Sequence, residues 1–256
     1  MGGGSVMPRF FVDKSDILAD KKIVIGGEDA KHISLSLRAR VGERLVACDG
    51  QGTDYDCEIS DITKNEVTLS VLEEKKSDAE PDVEVTLYQA LVKSDKFDFI
   101  VQKCTELGVS RIVPVVTDRC VSKPDDASLE KKLLRWNKIA KEAAMQSGRG
   151  RVPAVENAVS FGEAIDRLKV SDCGFVCYEA NPHIPINEIY EKCGEKGKIK
   201  NISFLIGPEG GISEKEAGSA IANDVFLASL GPRILRAETA PLCVMSSLML
   251  LSGNMI

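Results

Sequence analysis

Histidine is nearly missing from this chain: His32 and His183 are the only two among 256 residues. The eight cysteines, at 48, 57, 104, 120, 173, 177, 193 and 243, include no CxxC pair. Zinc sites are built from histidines and closely spaced cysteines, so no metal centre is expected. Free cysteine is among the most buried residue types, and reduced, buried thiols are the expectation, with Cys173 and Cys177 sharing one face of a strand. No apolar run reaches the roughly 18 residues of a membrane span. The nearest, Leu242 to Leu251, is shorter and carries two serines, which reads as a buried helix. The start, Met1-Gly-Gly-Gly-Ser-Val, lacks both the basic residues and the apolar stretch of a signal peptide. Residues 1–6 read as an added leader, Met7 as the natural start, and the cytoplasm as the expected compartment. The nucleotide fingerprints GxGxxG and GxxxxGK[ST] are absent too.

What remains describes a folded globular chain, long enough for one large domain or two modest ones without covalent staples. The net charge of −6 does not favour a nucleic-acid binder, but a total hides distribution. Residues 131–151 hold Lys131, Lys132, Arg135, Lys138, Lys141, Arg149 and Arg151 against Glu142 alone. A second cluster runs Lys31, His32, Arg38, Arg40, Arg44. Solvated helix faces are the alternative for each cluster.

Two regions separate. From Pro8 to about Leu72, "KIVIGGEDA", "RLVACDGQGTDYDCEISDI" and "EVTLSVL" alternate around glycine-rich turns, with a short helical piece near His32 to Arg38. "CDGQG" carries the Asp-Gly hairpin signal. The stretch Glu73 to Asp82 is polar and charged, ends in Pro81-Asp82, and reads as a linker or domain boundary. Beyond it strands and helices alternate. "VTLYQALV" precedes a helix over "DKFDFIVQKCTELG" ended by Gly108, and "RIVPVV" precedes a helix from Ser128 to about Gln146. Further strands are expected at Gly174–Tyr178, Ile202–Ile206 and Val225–Ser229, with helices at Ile186–Cys193, Ser213–Asn223 and Pro241–Ser252. Ser160–Glu163 and Ser213–Glu216 are capping boxes. Such alternation means an α/β domain with a largely parallel sheet.

Two loops of this region, expected at the ends of neighbouring strands, share a glycine–proline start: "GPEGG" after the strand ending at Ile206, and "GPRILRAETAP" after the strand ending at Ser229. Ligands of open α/β sheets sit beyond the carboxyl ends of the strands, where Thr117-Asp-Arg119 and Glu179 also fall. Glycines 207, 210 and 211 let main-chain groups approach a ligand. A phosphate at the amino end of the helix from Ser213 is conceivable, but Glu209 sets a negative charge in the loop. A ligand with an adenine and positive charge at its other end, such as S-adenosylmethionine, fits better. Two tight turns without a ligand are the alternative.

"LIGPEGG" with "LGPRILRAETAP" resembles the signature pair of the RsmE family, the 16S ribosomal RNA (uracil N3)-methyltransferases of the SPOUT superfamily. "MPRFF" at 7–11, "KCTELGVSRIVPVVTDRC" at 103–120 and "RWNKIAKEAAMQSGRGRVP" at 135–153 are similar to the same family, in the same order. The resemblance implies a PUA-like β-barrel RNA-binding domain over 7–75 and a SPOUT methyltransferase domain over 76–256. The latter would be a mostly parallel α/β domain tied in a trefoil knot, which handedness rules alone would not produce. It also implies a homodimer through the knot, with the apolar last helix buried on every side. The implied reaction is methylation by S-adenosylmethionine of N3 of a 16S rRNA uridine, position 1498 in the standard bacterial numbering, on the 30S subunit.

Carried onto this chain, the resemblance assigns the cofactor to Leu205, Ile206, Gly207, Pro208, Glu209, Gly210, Gly211, Leu230, Gly231, Ile234, Leu235 and Thr239. Arg236 is the candidate catalytic donor to the uracil carbonyls, and Glu238 would orient it or contact the cofactor; the alternative for Arg236 is a structural ion pair with Glu238 or Glu209. Arg9, Arg38, Arg40, Arg149 and Arg151 would hold RNA phosphates, as could His32, for which turn packing is the alternative. Ala237 stands where the family usually has threonine, and Met145 where a polar residue is expected. The other functions compatible with these residues are a non-catalytic RNA-binding or ribosome-assembly factor on the same fold, and a SPOUT methyltransferase for another RNA.

Overall fold

The computed structural model describes residues 7–121, 125–181, 183–195 and 197–255. The chain divides into two compact units. One runs to Glu80 and takes in Ala144–Val152; the other comprises Pro81–Ala143 and the chain from Pro153 onward.

The first unit holds β1 (Arg9–Phe11), β2 (Ile17–Leu18), β3 (Lys22–Gly26), α1 (Gly27–Lys31), β4 (Arg44–Cys48), β5 (Thr53–Ile62) and β6 (Glu66–Lys76). They form one six-stranded sheet in the order β1-β4-β5-β6-β3-β2, in which the β1–β4 pair alone is parallel. Alternate residues of each strand, among them Ile23 and Ile25, Leu45 and Ala47, Cys57 and Ile59, Val67 and Leu69, meet in one core, as the period of two requires. The Asp-Gly turn forms as expected: the Asp49 side chain accepts from the amides of Gln51 at 2.8 Å and Thr53 at 3.0 Å.

Three expectations change here. The short helix begins at Gly27, where Glu28 and Asp29 favour a helix N-terminus, and continues as a π-type turn over His32–Ser36. Of the polar stretch read as a linker, the first four residues are strand, since β6 runs to Lys76 opposite Thr53–Asp56, with Lys75 Nζ 2.8 Å from Asp56, while the boundary between the units falls later in the same stretch, after Glu80. Solvated strand faces are as polar as linkers, so composition did not separate the two. Residues 144–152 belong to the first unit, although the expected boundary left them in the second. The amide of Gly52 donates to the Gly150 carbonyl at 2.9 Å, and Gln51 bridges to Arg151. Met145 packs on the cores of this unit, which accounts for an apolar residue there.

The second unit holds β7 (Glu84–Ala90), α2 (Ser94–Glu106), β8 (Arg111–Val116), α3 (Asp126–Gln146, up to Ala143), β9 (Ala154–Val155), β10 (Val159–Ser160), α4 (Phe161–Lys169), β11 (Cys173–Cys177), β12 (Ile184–Pro185), α5 (Ile186–Gly194), β13 (Asn201–Ile206), α6 (Glu214–Ala222), β14 (Phe226–Ser229) and α7 (Ala240–Leu251). The main elements lie where the sequence places them. The two-residue strands β9, β10 and β12 are too short to carry a period. Every pairing in the sheet is parallel, in the order β10-β8-β7-β13-β11-β14-β12 with β9 beside β8. Apolar side chains therefore alternate between two covered faces. Ile202, Phe204 and Ile206 of β13 join a core with α2, α3, α5 and α7, whereas Leu205 joins one with α4 and α6. Trp136 of α3 stacks on Phe97 of α2, ring centroids 4.0 Å apart. Both capping boxes form; in the second, Ser213 Oγ accepts from the Glu216 amide at 3.2 Å and Glu216 accepts from the Ser213 amide at 3.0 Å.

Among the described residues no helix is long and apolar enough to cross a membrane, and no three His, Cys, Asp or Glu side chains gather as a metal site. Of the eight free cysteines, six are buried and Cys177 and Cys243 are partly so.

Candidate functional site

The glycine–proline loops follow β13 and β14. These strands are not neighbours, as the sequence reading had them: β11 lies between. β11 thereby widens the site: it and the residues after it supply Cys177, Tyr178 and Glu179 between the loops. The three carboxyl ends and both loops enclose a cavity of about 830 Å³, a size suited to a drug-sized ligand.

Ile206, Gly207, Pro208, Glu209, Gly210, Gly211, Leu230, Gly231, Ile234, Leu235 and Arg236 all line it. Leu205 does not. Its side chain is fully buried in the core under α4 and α6, since odd and even residues of β13 face opposite ways. Thr239 and Glu238 are also outside the lining; Thr239 precedes α7, and its amide donates to the Arg236 carbonyl at 2.9 Å. Ala237 lines the cavity and joins the apolar core.

The first loop is shaped by its glycines. Gly211 has φ +70°, and a Cβ there would run into the Glu179 carboxylate. Gly210 sits against Arg119, whose Nη1 donates to the Gly210 carbonyl at 2.9 Å. Asp118 adds a second brace: its amide donates to Glu216 at 2.8 Å and its carboxylate accepts from Ser213 Oγ at 2.9 Å. The amino end of α6 is thus occupied by the protein's own carboxylates, which leaves no place for a phosphate there. In the second loop Gly231 has φ +97° and its amide donates to Ser229 Oγ at 3.2 Å.

Glu209 is not the bare charge that the sequence implied. Lys96, in the first turn of α2, lies 3.3 Å from Glu209 and 3.1 Å from Glu238. Burial would raise the Glu238 carboxyl, but its own backbone amide, Lys96 and Arg236 outweigh that and hold it below the usual glutamate value. Lys96 is raised, by Glu238 foremost and Glu209 as well. Arg236 Nη1 is 4.0 Å from Glu238 and its side chain is 84% exposed, so no tight ion pair holds it. Lys96 and His183 also line the cavity and were not among the expected site residues. A lysine on a helix carries no local signal for such a role.

The arginines of the first unit fall into two groups. Arg149 is 3% exposed and pairs with Glu80 at 2.8 Å; Glu80 also accepts from the amides of Gly150 at 2.9 Å and Arg151 at 3.0 Å. Arg9 makes a two-pronged pair with Asp54, Nη2 to Oδ2 2.7 Å. The phosphate role expected of Arg149 therefore gives way to an internal tie, because releasing a buried, paired charge is costly. Arg9 is similarly engaged. Arg38, Arg40, Arg151 and His32 are exposed, the His32 ring standing edge-on to Phe10 at 5.9 Å. Arg38 takes a left-handed backbone, φ +54°.

Comparison with known proteins adds to this geometry. Residues 79–249 match the RNA methyltransferase domain family, and residues 25–72 the RNA methyltransferase PUA domain. The chain is 35% identical to ribosomal RNA small subunit methyltransferase E of Bacillus subtilis strain 168, covering 94% of this chain and 96% of that one. It is 32% identical to the Synechocystis protein of the same name, over 92% of this chain and 75% of the relative. Among solved structures, ribosomal RNA small subunit methyltransferase E of Neisseria gonorrhoeae bound to S-adenosyl methionine superposes with a TM-score of 0.85 at 30% identity, over 96% of this chain and 98% of that one. Likeness sustained from the PUA residues through the last helix goes beyond a shared fold: the chain belongs to the ribosomal RNA small subunit methyltransferase E family of RNA methyltransferases.

Proposed function

We propose that this chain methylates N3 of a uridine in 16S rRNA, the one at position 1498, with S-adenosylmethionine as methyl donor. The cavity is the observation that carries this. Its apolar lining, Ile206, Leu230, Ile234, Leu235 and Ala240, suits an adenine, and its glycine loops bring main-chain groups to the ligand. Glu179 and Glu209 complement a cationic sulfonium and ammonium. When bound, S-adenosylmethionine supplies an electrophilic methyl group.

The chain's own residues do the rest. Uracil N3 is a poor nucleophile while protonated and lies on the pairing edge, so the base must be unpaired to react. Arg236, exposed at the cavity rim, donates to the uracil carbonyl oxygens and favours the N3 anion. Glu238, ionised and engaged by Lys96 at 3.1 Å, stays 4.0 Å from Arg236 and leaves the guanidinium free for the base; a carboxylate held below its ordinary value is a weak base, and water takes the N3 proton. Arg38, Arg40, Arg151 and His32 face RNA phosphates.

The 30S subunit is the proposed substrate, which places the protein in the cytoplasm. A homodimer is proposed through the trefoil-knotted domain. In support, α7 buries Val244, Met245, Leu248 and Met249 but leaves Leu250 60% exposed and Cys243 part-exposed, a face that a second copy would cover.

Transfer of labelled methyl to 30S particles, with mapping of the modified nucleotide, tests the whole proposal. Label at N3 of uridine 1498 is expected. Binding without transfer would instead identify an RNA-binding assembly factor, and label elsewhere a methyltransferase for another RNA.

A further inference from the structure

The cluster at the cavity rim contains two carboxylates and two cations from three different elements. Lys96 comes from the first turn of α2, Glu209 from the loop after β13, and Arg236 and Glu238 from the loop after β14. Lys96 reaches both loops, at 3.3 Å and 3.1 Å. A cation in a helix's first turn opposes the macrodipole, so helix stability does not account for a lysine there. Spanning the two loops does.

The distances also divide Glu238 unequally. Its carboxylate is 19% exposed and lies nearer Lys96, at 3.1 Å, than Arg236, at 4.0 Å. Arginine and carboxylate prefer a close two-pronged pair, and the Arg236 side chain is free enough in solvent to reach one. What restrains it is that Glu238 is already neutralised.

We infer that Lys96 is a positioning residue of the methyl-transfer site: it ties the two cavity loops together through Glu209 and Glu238, and by occupying Glu238 it keeps Arg236 available to the substrate base. This rests on the proposed function for its consequence in turnover, but not for the contacts themselves. Removing the ammonium leaves two carboxylates facing one cation. Arg236 then closes on Glu238, and Glu209 is released.

Lys96→Met, Lys96→Arg and Lys96→Met with Glu238→Gln separate this from a structural role. With 30S subunits and S-adenosylmethionine, Lys96→Met is expected to lose roughly tenfold or more in kcat, with a smaller change in the KM for RNA. Lys96→Arg should stay within about threefold of the parent. The double variant should recover much of the loss, since the carboxylate that captures Arg236 is gone. Lys96→Gln serves in place of Lys96→Met if the methionine lowers the thermal midpoint.

A second measurement needs no methyl donor. The Arg236 side-chain NMR signal, assigned through Arg236→Lys, should show slowed exchange with water and hindered rotation in Lys96→Met. Both effects should vanish in the double variant. An unchanged Arg236 signal in Lys96→Met, or kcat within twofold of the parent, overturns the inference. A parent protein that transfers no methyl would sink the proposed function instead, and the Arg236 signal would still decide the part played by Lys96.

Discussion

Gly211 combines two constraints that are usually separate: a left-handed backbone and a carboxylate where a Cβ would stand. A Gly211→Ala variant must strain the loop and push Glu179 aside. Its affinity for S-adenosylmethionine by calorimetry should fall by about tenfold or more, with far-UV dichroism unchanged; undiminished binding would remove this loop from the cofactor site. Arg236 makes the complementary case, for it is held by almost nothing. Arg236→Lys keeps the charge and loses the planar fork. Loss of an oriented donor of this kind costs kcat on the order of 10² or more, while cofactor affinity stays near that of the parent; a fall in affinity with kcat intact would reverse the assignment.

At the scale of elements, the same segments that form the sheet also brace the site. The loop after β8 is tied by Asp118 to the residues that open α6 and by Arg119 to Gly210 in the cavity loop, so one segment braces both the cap and the loop that lines the cavity. Ser213→Ala deletes one cap acceptor and the Asp118 contact. It should cost about 1 kcal/mol, read by denaturant titration through the fluorescence of Trp136, which lies in the second unit. An unchanged midpoint would mean that the cap is replaced by solvent. The sequence shows this cap plainly, as Ser-x-x-Glu before an apolar run. It does not show the partner Asp118, because that contact spans 95 residues.

At the scale of the whole molecule, the two units carry different chemistry and different sensitivities. In the first, burial would raise the Asp54 carboxyl, but the Arg9 pair outweighs it and holds the group below its ordinary value of 3.8. A depressed carboxyl stabilises the fold above its unfolded value, and that contribution is lost as pH falls through the folded one. Hydrogen exchange of the β4 and β5 amides should therefore accelerate below about pH 4, and Asp54→Asn should flatten that limb; a variant as acid-sensitive as the parent would exclude this pair as the cause. RNA binding belongs to this scale as well. If Arg38, Arg40 and Arg151 meet phosphates, each neutralised arginine should reduce the slope of log affinity against log salt by about one. Arg149→Met should lower the stability of the first unit rather than the slope, since its charge is spent on Glu80.

Local pattern was enough to place the long strands and helices, both capping boxes, the Asp-Gly hairpin and the two glycine–proline loops, because period, caps and turn chemistry act within a few residues. The same loops and the residue order also carried the family resemblance, and nearly all of the expected cofactor residues line one cavity. Which strand lies between the loops, which arginines are spent inside the first unit, the return of 144–152 to that unit and the reach of Lys96 across two loops were settled only in three dimensions. Each depends on groups brought together from distant parts of the chain, and an ion pair leaves no periodic trace in the sequence that makes it.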